Sequence, residues 1–345
     1  MKSIKRIRIP VTIALGALCL GGTGTAAAQE MANSIYGNFR FSYNYVDEAD
    51  STLRADNNAS RLGFKGEIKG DLLTAFYHLE SGANNDAEGS AFTSRFYYGG
   101  VKGQFGSVTV GRHSTAYKMA GLALDPFYDL AHVGPAVGPD GSIFAASGAT
   151  YGTSALTNGW ANNTLAYSSP EFVGLKLNAA AYFDDSEEDN HDFAAGLTYA
   201  IGPFGVGVQY HAVDDHTVGG SVAPWAGKVD ELDAYRVHGS FDSGPFKIGA
   251  SYEKLDYDAD TSEDVDYIYV SATYAVLPTT RLALSVGDVS DGDAEGTGGN
   301  VGIFHDLFKN TTVYGLYSMV DLDSAGAEDV DIVSLGFIYD FNMSL

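Results

Sequence analysis

Apolar and polar residues alternate along most of this chain. In SIYGNFRFSYNY, which begins at Ser34, the residues Ile35, Phe39, Phe41, Tyr43 and Tyr45 fall on one face, and Tyr36, Asn38, Arg40, Ser42 and Asn44 on the other. In GPFGVGVQYH, Phe204, Val206, Val208 and Tyr210 alternate with Gly205, Gly207, Gln209 and His211. In PFKIGASYEK, Phe246, Ile248, Ala250 and Tyr252 alternate with Lys247, Gly249, Ser251 and Glu253. A period of two belongs to β-strands whose two faces meet different surroundings. Helical periodicity is nowhere sustained.

The connections between these segments come in two kinds. Tight turns lie near 70, 104, 170, 202, 243, 278 and 308, and longer acidic connections at 47–58, 83–93, 114–160, 185–190, 215–231, 258–263, 290–297 and 322–329. Seven turns and eight loops join sixteen strands, an even number. Strands of about ten residues, with short turns at one rim and long loops at the other, describe a transmembrane antiparallel β-barrel of the bacterial outer membrane. A soluble sandwich would turn its apolar faces inward. A barrel of sixteen strands is too wide for side chains to fill, so its polar face lines water and its apolar face meets lipid. Closure then satisfies the backbone of every strand.

The N-terminus sets the compartment. MKSIKRIRIP carries Lys2, Lys5, Arg6 and Arg8, followed by the apolar VTIALGALCL and small residues ending at TAAAQE. That order is a secretory signal over residues 1–28, leaving 29–345 as the exported barrel. An apolar run of about ten residues is too short to span a bilayer as a helix. Cys19, the only cysteine, leaves with the signal, and the bulky Leu18 before it argues against a lipoprotein. The whole chain has 20 basic and 44 acidic residues. Removing four basic residues with the signal leaves 16 against 44, a formal charge of −28. Such a surface excludes nucleic-acid binding by counterion release.

Several consecutive motifs resemble the Gram-negative general porins. SIYGNFRFSYNYV is similar to their first strand, and SRLGFKGEIKGDLLTAFYHLESG to the second and third with the turn between. RFYYGGVKGQFGSVTVGRHSTAY resembles strands four and five running into the third loop, and NTLAYSSPEFVGLKLNAAAY the strand pair beyond it. The resemblance implies a homotrimer of sixteen-stranded barrels in the outer membrane, each with its third loop folded into the pore. It implies passive diffusion of ions and small hydrophilic solutes, with no cofactor.

The residues support an in-folded loop independently. Alternation stops after His113, which bounds the loop at 114–160. Its Leu122, Leu124, Phe127, Tyr128 and Leu130 are too apolar for a solvated tail. Long connections of this kind are usually functional or disordered. Nine of the sixteen remaining basic residues lie between Arg40 and Lys118. Parity puts Arg40, Arg61 and Lys65 on the lumen face, because a cation on the lipid face costs about 2–4 kcal/mol near the midplane. The loop offers Asp125, Asp129 and Asp140 as counterparts, and a basic wall against an acidic loop sets a transverse field across a constriction. A plainer reading stands beside each. Arg40, Arg61 and Lys65 can pair with Glu67 and Glu80, and Asp125 and Asp129 can cap loop turns. Arg112 has lipid-side parity at a strand end where a bulge can redirect it. From residue 119 onward there are 34 acidic and seven basic residues, crowded into the long loops. That acidity leads to an expectation of cation preference.

Other chemistries are thinly supplied. Asp256, Asp258, Asp260 and Ser262 open like a calcium loop, but Thr261 and Tyr267 stand where Gly and Glu are needed. Divalent ions bridging the acidic loops are the only metal expectation. No H-E-x-x-H, G-x-S-x-G or phosphate-cradling loop is present, and the histidines are scattered, so no enzyme is expected. The runner-up is a non-conducting barrel serving adhesion. Finally, SLGFIYDFNMSL reads as the closing strand, with Leu335, Phe337, Tyr339 and Phe341 facing lipid. Its Ser334, Gly336, Tyr339 and Phe341 are similar to the porin assembly signal, but Asn342–Leu345 follow the final aromatic. That tail either weakens recognition or closes the barrel against the first strand.

Overall fold

A computed structural model of the chain describes residues 30–47, 51–83, 92–130, 136–137, 143–144, 160–183, 191–213, 232–257, 264–290, 295–322 and 329–345. The signal segment and most of the acidic loop tips lie outside them. The first half holds β1 (Glu30–Asp47), β2 (Thr52–Asn57), β3 (Arg61–Lys69), β4 (Thr74–Ala83), β5 (Phe92–Gly103), β6 (Gly106–Ser114), α1 (Ala116–Leu122), β7 (Ala136–Val137), β8 (Ile143–Phe144) and β9 (Trp160–Ser168). The second holds β10 (Leu175–Phe183), β11 (His191–Ile201), β12 (Phe204–Val213), β13 (Leu232–Asp242), β14 (Phe246–Tyr257), β15 (Val265–Leu277), β16 (Thr280–Ser290), β17 (Gly296–Phe308), β18 (Thr311–Leu322) and β19 (Val330–Ser344).

β7 and β8 form a pair of their own, and β2 and β3 both pair with β1 as one interrupted strand. The remaining neighbours are antiparallel in chain order, and β19 returns to β1 from Ser34↔Ser344 to Asp47↔Asp331. The wall is therefore a closed antiparallel barrel of sixteen strands, the architecture the alternation predicts. Its outward face is apolar and exposed, as in Val206 and Val208 or Leu282, Leu284 and Val286. Gln209, Ser251, Ser271, Ser285, Asn300 and Ser334 are buried on the opposite face. Aromatic pairs sit beside the short turns, with Phe204 on Phe241 at 5.1 Å and Phe246 on Tyr274 at 4.5 Å. Phe39 and Phe341 stack at 6.0 Å in the same belt, as aromatic girdles at membrane interfaces do.

Two details depart from simple alternation. The loop expected at 47–58 is largely strand, because β2 occupies 52–57. Its charged TLRADN hides the strand, and a kink at Asn58–Ser60 separates it from β3. Ala59 takes a left-handed φ of 54°, Asn58 N–H donates to the Arg40 carbonyl at 2.9 Å, and Ser60 N–H donates to Asn57 Oδ1 at 3.0 Å. The kink brings Asn58 Nδ2 to Ser42 Oγ at 2.8 Å and to the Tyr314 hydroxyl at 3.0 Å. The tail, for its part, continues the closing strand. Asn342, Met343 and Ser344 pair with Tyr36, Ile35 and Ser34, and Leu345 N–H donates to the Asn33 carbonyl at 2.9 Å.

The register also breaks inside the wall. Leu79 faces Tyr97 and Ser81 faces Ser94, so Glu80 stands opposite both Arg95 and Phe96. Gly111 faces Thr164 and His113 faces Ala161, so Arg112 stands opposite Asn162 and Asn163. Asn163 has a left-handed φ of 46° and Gly111 a φ of 129°, the dihedrals such bulges recruit.

Candidate functional site

Three arginines from three strands meet on one loop dipeptide, Tyr128–Asp129. Arg61 Nη1 lies 3.2 Å from Asp129 Oδ2, with Arg40 Nη1 at 3.9 Å. Arg40 also donates to the Tyr128 carbonyl, and its guanidinium and that of Arg61 lie 5.4 and 5.3 Å from the Tyr128 ring centre. Arg95 donates to Glu80 at 2.7 Å and to the Tyr128 hydroxyl at 3.1 Å, and stacks over Trp160 at 4.7 Å. Asp129 holds a φ of 58°, a conformation that aspartate tolerates better than most residues. The side chains of Arg40, Arg61, Arg95 and Asp129 keep only 15, 9, 13 and 7% of their exposure. Such desolvation strengthens each contact and makes each one costly to break.

The stretch from Thr115 to Leu130 touches other strands along its length. Thr115 caps α1 by accepting from Lys118 N–H at 3.1 Å. Arg236 of β13 donates to the Tyr117 carbonyl at 2.8 Å, covers the Tyr117 ring at 4.4 Å and pairs with Glu253 of β14 at 3.2 Å. Ser271 of β15 donates to the Leu124 carbonyl at 2.6 Å. Phe127 packs on Phe304 of β17 at 5.9 Å, and Tyr314 of β18 donates to the Leu130 carbonyl at 3.4 Å. All these partners stand on the polar face of the wall, opposite the exposed apolar band. Lys118, buried in α1, reaches 4.9 Å from the Trp160 ring. Burial first, and the neighbouring Arg95 charge second, lower its ammonium to about 8.

The candidate residues thus separate. Arg40, Arg61 and Asp129 come together. Lys65 stands apart, 5.3 Å over the Tyr36 ring. Arg112 donates to Asn162 Oδ1 at 2.7 Å and to the carbonyls of Ser94 and Trp160, and to no loop carboxylate among the described residues. Asp125 accepts from Phe127 N–H at 2.7 Å and from Tyr269 at 3.4 Å, and so takes the turn-capping role. Glu80 and Glu67 pair with Arg95 and Lys102. Arg95 escapes parity reading because the bulge opposite Glu80 turns it across the wall. Tyr128 and Lys118 carry no sequence signal beyond membership of the loop. Asp140, Asp258, Asp260 and Ser262 lie outside the described residues. Among the described residues no group of three or more His, Cys, Asp or Glu is placed to hold a metal.

A family model described as Gram-negative porin matches residues 13–325. The chain belongs to the Gram-negative porin family. It is 25% identical over 302 residues to a monosaccharide porin of Halomonas, covering 79% of this chain and 76% of that one. An anion-selective porin from Comamonas acidovorans superposes with a TM-score of 0.72 at 20% identity, over 90% of this chain and 100% of that one. The trimer form of OmpT, an outer membrane protein of Vibrio cholerae, superposes at 0.65 with 17% identity, over 90 and 99%. These likenesses carry the fold, and the family carries the role. This porin is an outer-membrane channel protein, not an enzyme.

Proposed function

We propose that this porin is a water-filled channel for passive diffusion of ions and small hydrophilic solutes, narrowed by the 115–130 stretch, and that it assembles as a homotrimer. The carrying observation is the pinning of Tyr128–Asp129 by Arg40, Arg61 and Arg95 while the same stretch bonds to Arg236, Ser271 and Tyr314. Contacts to so many strands support a chain crossing the lumen. The trimer rests on the trimer form of the Vibrio cholerae neighbour.

The cation preference expected from the acidic loops gains no support in this cluster. Among the described residues, Arg40, Arg61, Arg95 and Lys118 face Glu80 and Asp129, with Asp340 also acting on Arg40 and Arg112 on Lys118, so five cations stand against three carboxylates. A field inside a narrow water-filled passage with low-dielectric walls is focused there, whereas loop charges in open water are screened by salt. The anion selectivity of the Comamonas acidovorans neighbour agrees with that sign. Selectivity is therefore anion-leaning at high salt, with cations gaining as salt falls. Planar-bilayer recordings test both parts. Stepwise openings are expected in KCl, with a reversal potential that moves toward chloride as mean salt rises. A folded protein without conductance would favour the adhesion role instead, and a cation preference that grows with salt would sink the selectivity reading.

A further inference from the structure

The rim of short turns carries a recess of about 420 Å³, within the range of small-molecule sites. By the outer-membrane rule the short turns face the periplasm. The recess is lined in part by Lys65, Phe76, His78, Tyr98 and Lys102. These five side chains share the face of the wall that carries Arg61 and Glu80. The three rings are arranged edge to face, His78 to Tyr98 at 5.4 Å and Phe76 to Tyr98 at 6.5 Å. Two of them are backed from outside the recess. Phe96 stacks on His78 at 4.7 Å, and His113 stacks on Tyr98 at 4.0 Å. Tyr36 bonds both His78 and Glu80, which ties the rings to Arg95 and the charged cluster.

The charges give the recess a sign. Lys102 is matched by Glu67 at 2.5 Å. Lys65 forms no ion pair among the described residues, and its ammonium lies over the Tyr36 ring. One unmatched ammonium beside half-buried rings suits a ligand with a single negative charge and a flat apolar face. The tail contributes as well, because Asn342 and Ser344 line the same recess with hydrogen-bonding groups. Cross-strand ring pairs alone would account for a stiff wall. They would not account for an unpaired cation above an open cavity edged by rings.

We infer that this recess binds aromatic monocarboxylates, the ring packing against Phe76, His78 and Tyr98 and the carboxylate meeting Lys65. The inference rests on the channel reading above and adds a solute class to it. The test uses the full-length porin in planar bilayers, with sodium benzoate as the probe. After steps are recorded in KCl, benzoate on the short-turn side should reduce the conductance in a saturable way. Equal acetate, benzyl alcohol or glucose should leave it unchanged. Lys65→Met should raise the half-blocking concentration about tenfold, the scale of one charge-assisted contact, and Tyr98→Leu about fivefold, the scale of one lost ring pair. Lys65→Arg should retain the block. Equal block by acetate, glucose or benzyl alcohol overturns the assignment, as does a Lys65→Met channel blocked like the parent. Steps without any benzoate block overturn the site alone, and absence of steps overturns the channel reading with it.

Discussion

The two halves of the wall hold the same loop segment by different means. From β10 to β18 the strands run in register, with shifts only beside the turns at Ala275/Leu277 and Asp306/Phe308. That half grips α1 through Arg236 and Glu253, whose side chains retain 1 and 0% of their exposure. From β1 to β9 the wall is kinked at Asn58–Ser60 and bulged opposite Glu80 and beside Arg112. That half grips Tyr128–Asp129 through three arginines whose side chains retain 15, 9 and 13% of their exposure. A regular strand offers only alternate residues to the lumen. A bulge delivers neighbours, and here it lets Arg95 bond Glu80 while Phe96 stacks on His78. Irregularity is thus concentrated where charge is gathered.

The contrast can be broken first at its dry end. Glu253→Ala leaves the Arg236 guanidinium buried with its carboxylate removed, which costs about 3–5 kcal/mol. Urea unfolding of the refolded porin in lipid vesicles should show a larger loss for this change than for any substitution at the basic cluster. A loss no greater than that of Asp129→Asn would reverse the ranking of the two anchors. The second break is Asp129→Asn itself. Asparagine accepts the same left-handed backbone, so the change isolates the charge. It should weaken the hold of the loop end by about 1.5–3 kcal/mol, the worth of a charged hydrogen bond. Single-channel recordings should show higher conductance and a stronger chloride preference, and unchanged traces would detach the loop from that carboxylate.

The same contrast explains what was legible in advance. Strand number, closure and the lipid face follow from alternation, because the barrel's two environments impose period two on every regular strand. Arg40, Arg61 and Asp129 were within reach, since parity and loop membership place them opposite one another. Arg95 was not, because a bulge is an insertion of one residue that no local pattern announces. Asp125 and Arg112 have the right charge for a constriction, yet a nearby backbone amide and a side-chain amide satisfy them first. The strand over 52–57 was hidden by Arg54 and Asp56, which read as loop residues.

The tail gives a smaller and cleaner break. Deleting Asn342–Leu345 removes three register pairs with β1 and the Leu345 hydrogen bond, but leaves the pairing from Gly37↔Phe341 to Asp47↔Asp331. Antiparallel pairs bond alternately, so about three hydrogen bonds go, and at the low end of about 0.5–1.5 kcal/mol net each for a water-exposed strand end the loss should be about 1.5–2 kcal/mol. The urea midpoint should fall while the channel still inserts and conducts. Failure to insert would mean that the tail takes part in assembly rather than only in closure.

The smallest effect joins the two anchors through Lys118, which lies on α1 but faces the basic cluster. Its ammonium titrates at about 8 because burial and the Arg95 charge disfavour the proton. Arg61, Arg95 and Arg112 contribute to its field in the same direction and Asp129 in the opposite one. Arginine stays protonated throughout this range. Below about pH 8 the passage therefore carries one more positive charge than above it, and chloride preference should fall as pH rises from about 7 to 9. One charge at about 8 Å in a water-like dielectric contributes about 0.5 kcal/mol, favouring chloride and disfavouring the cation alike, so the permeability ratio should change about fivefold. Lys118→Arg should hold the ratio at its low-pH value and Lys118→Met at its high-pH value. If both variants keep the parent's pH step, the titrating group lies elsewhere, and the cluster's net charge is not what the ions sense.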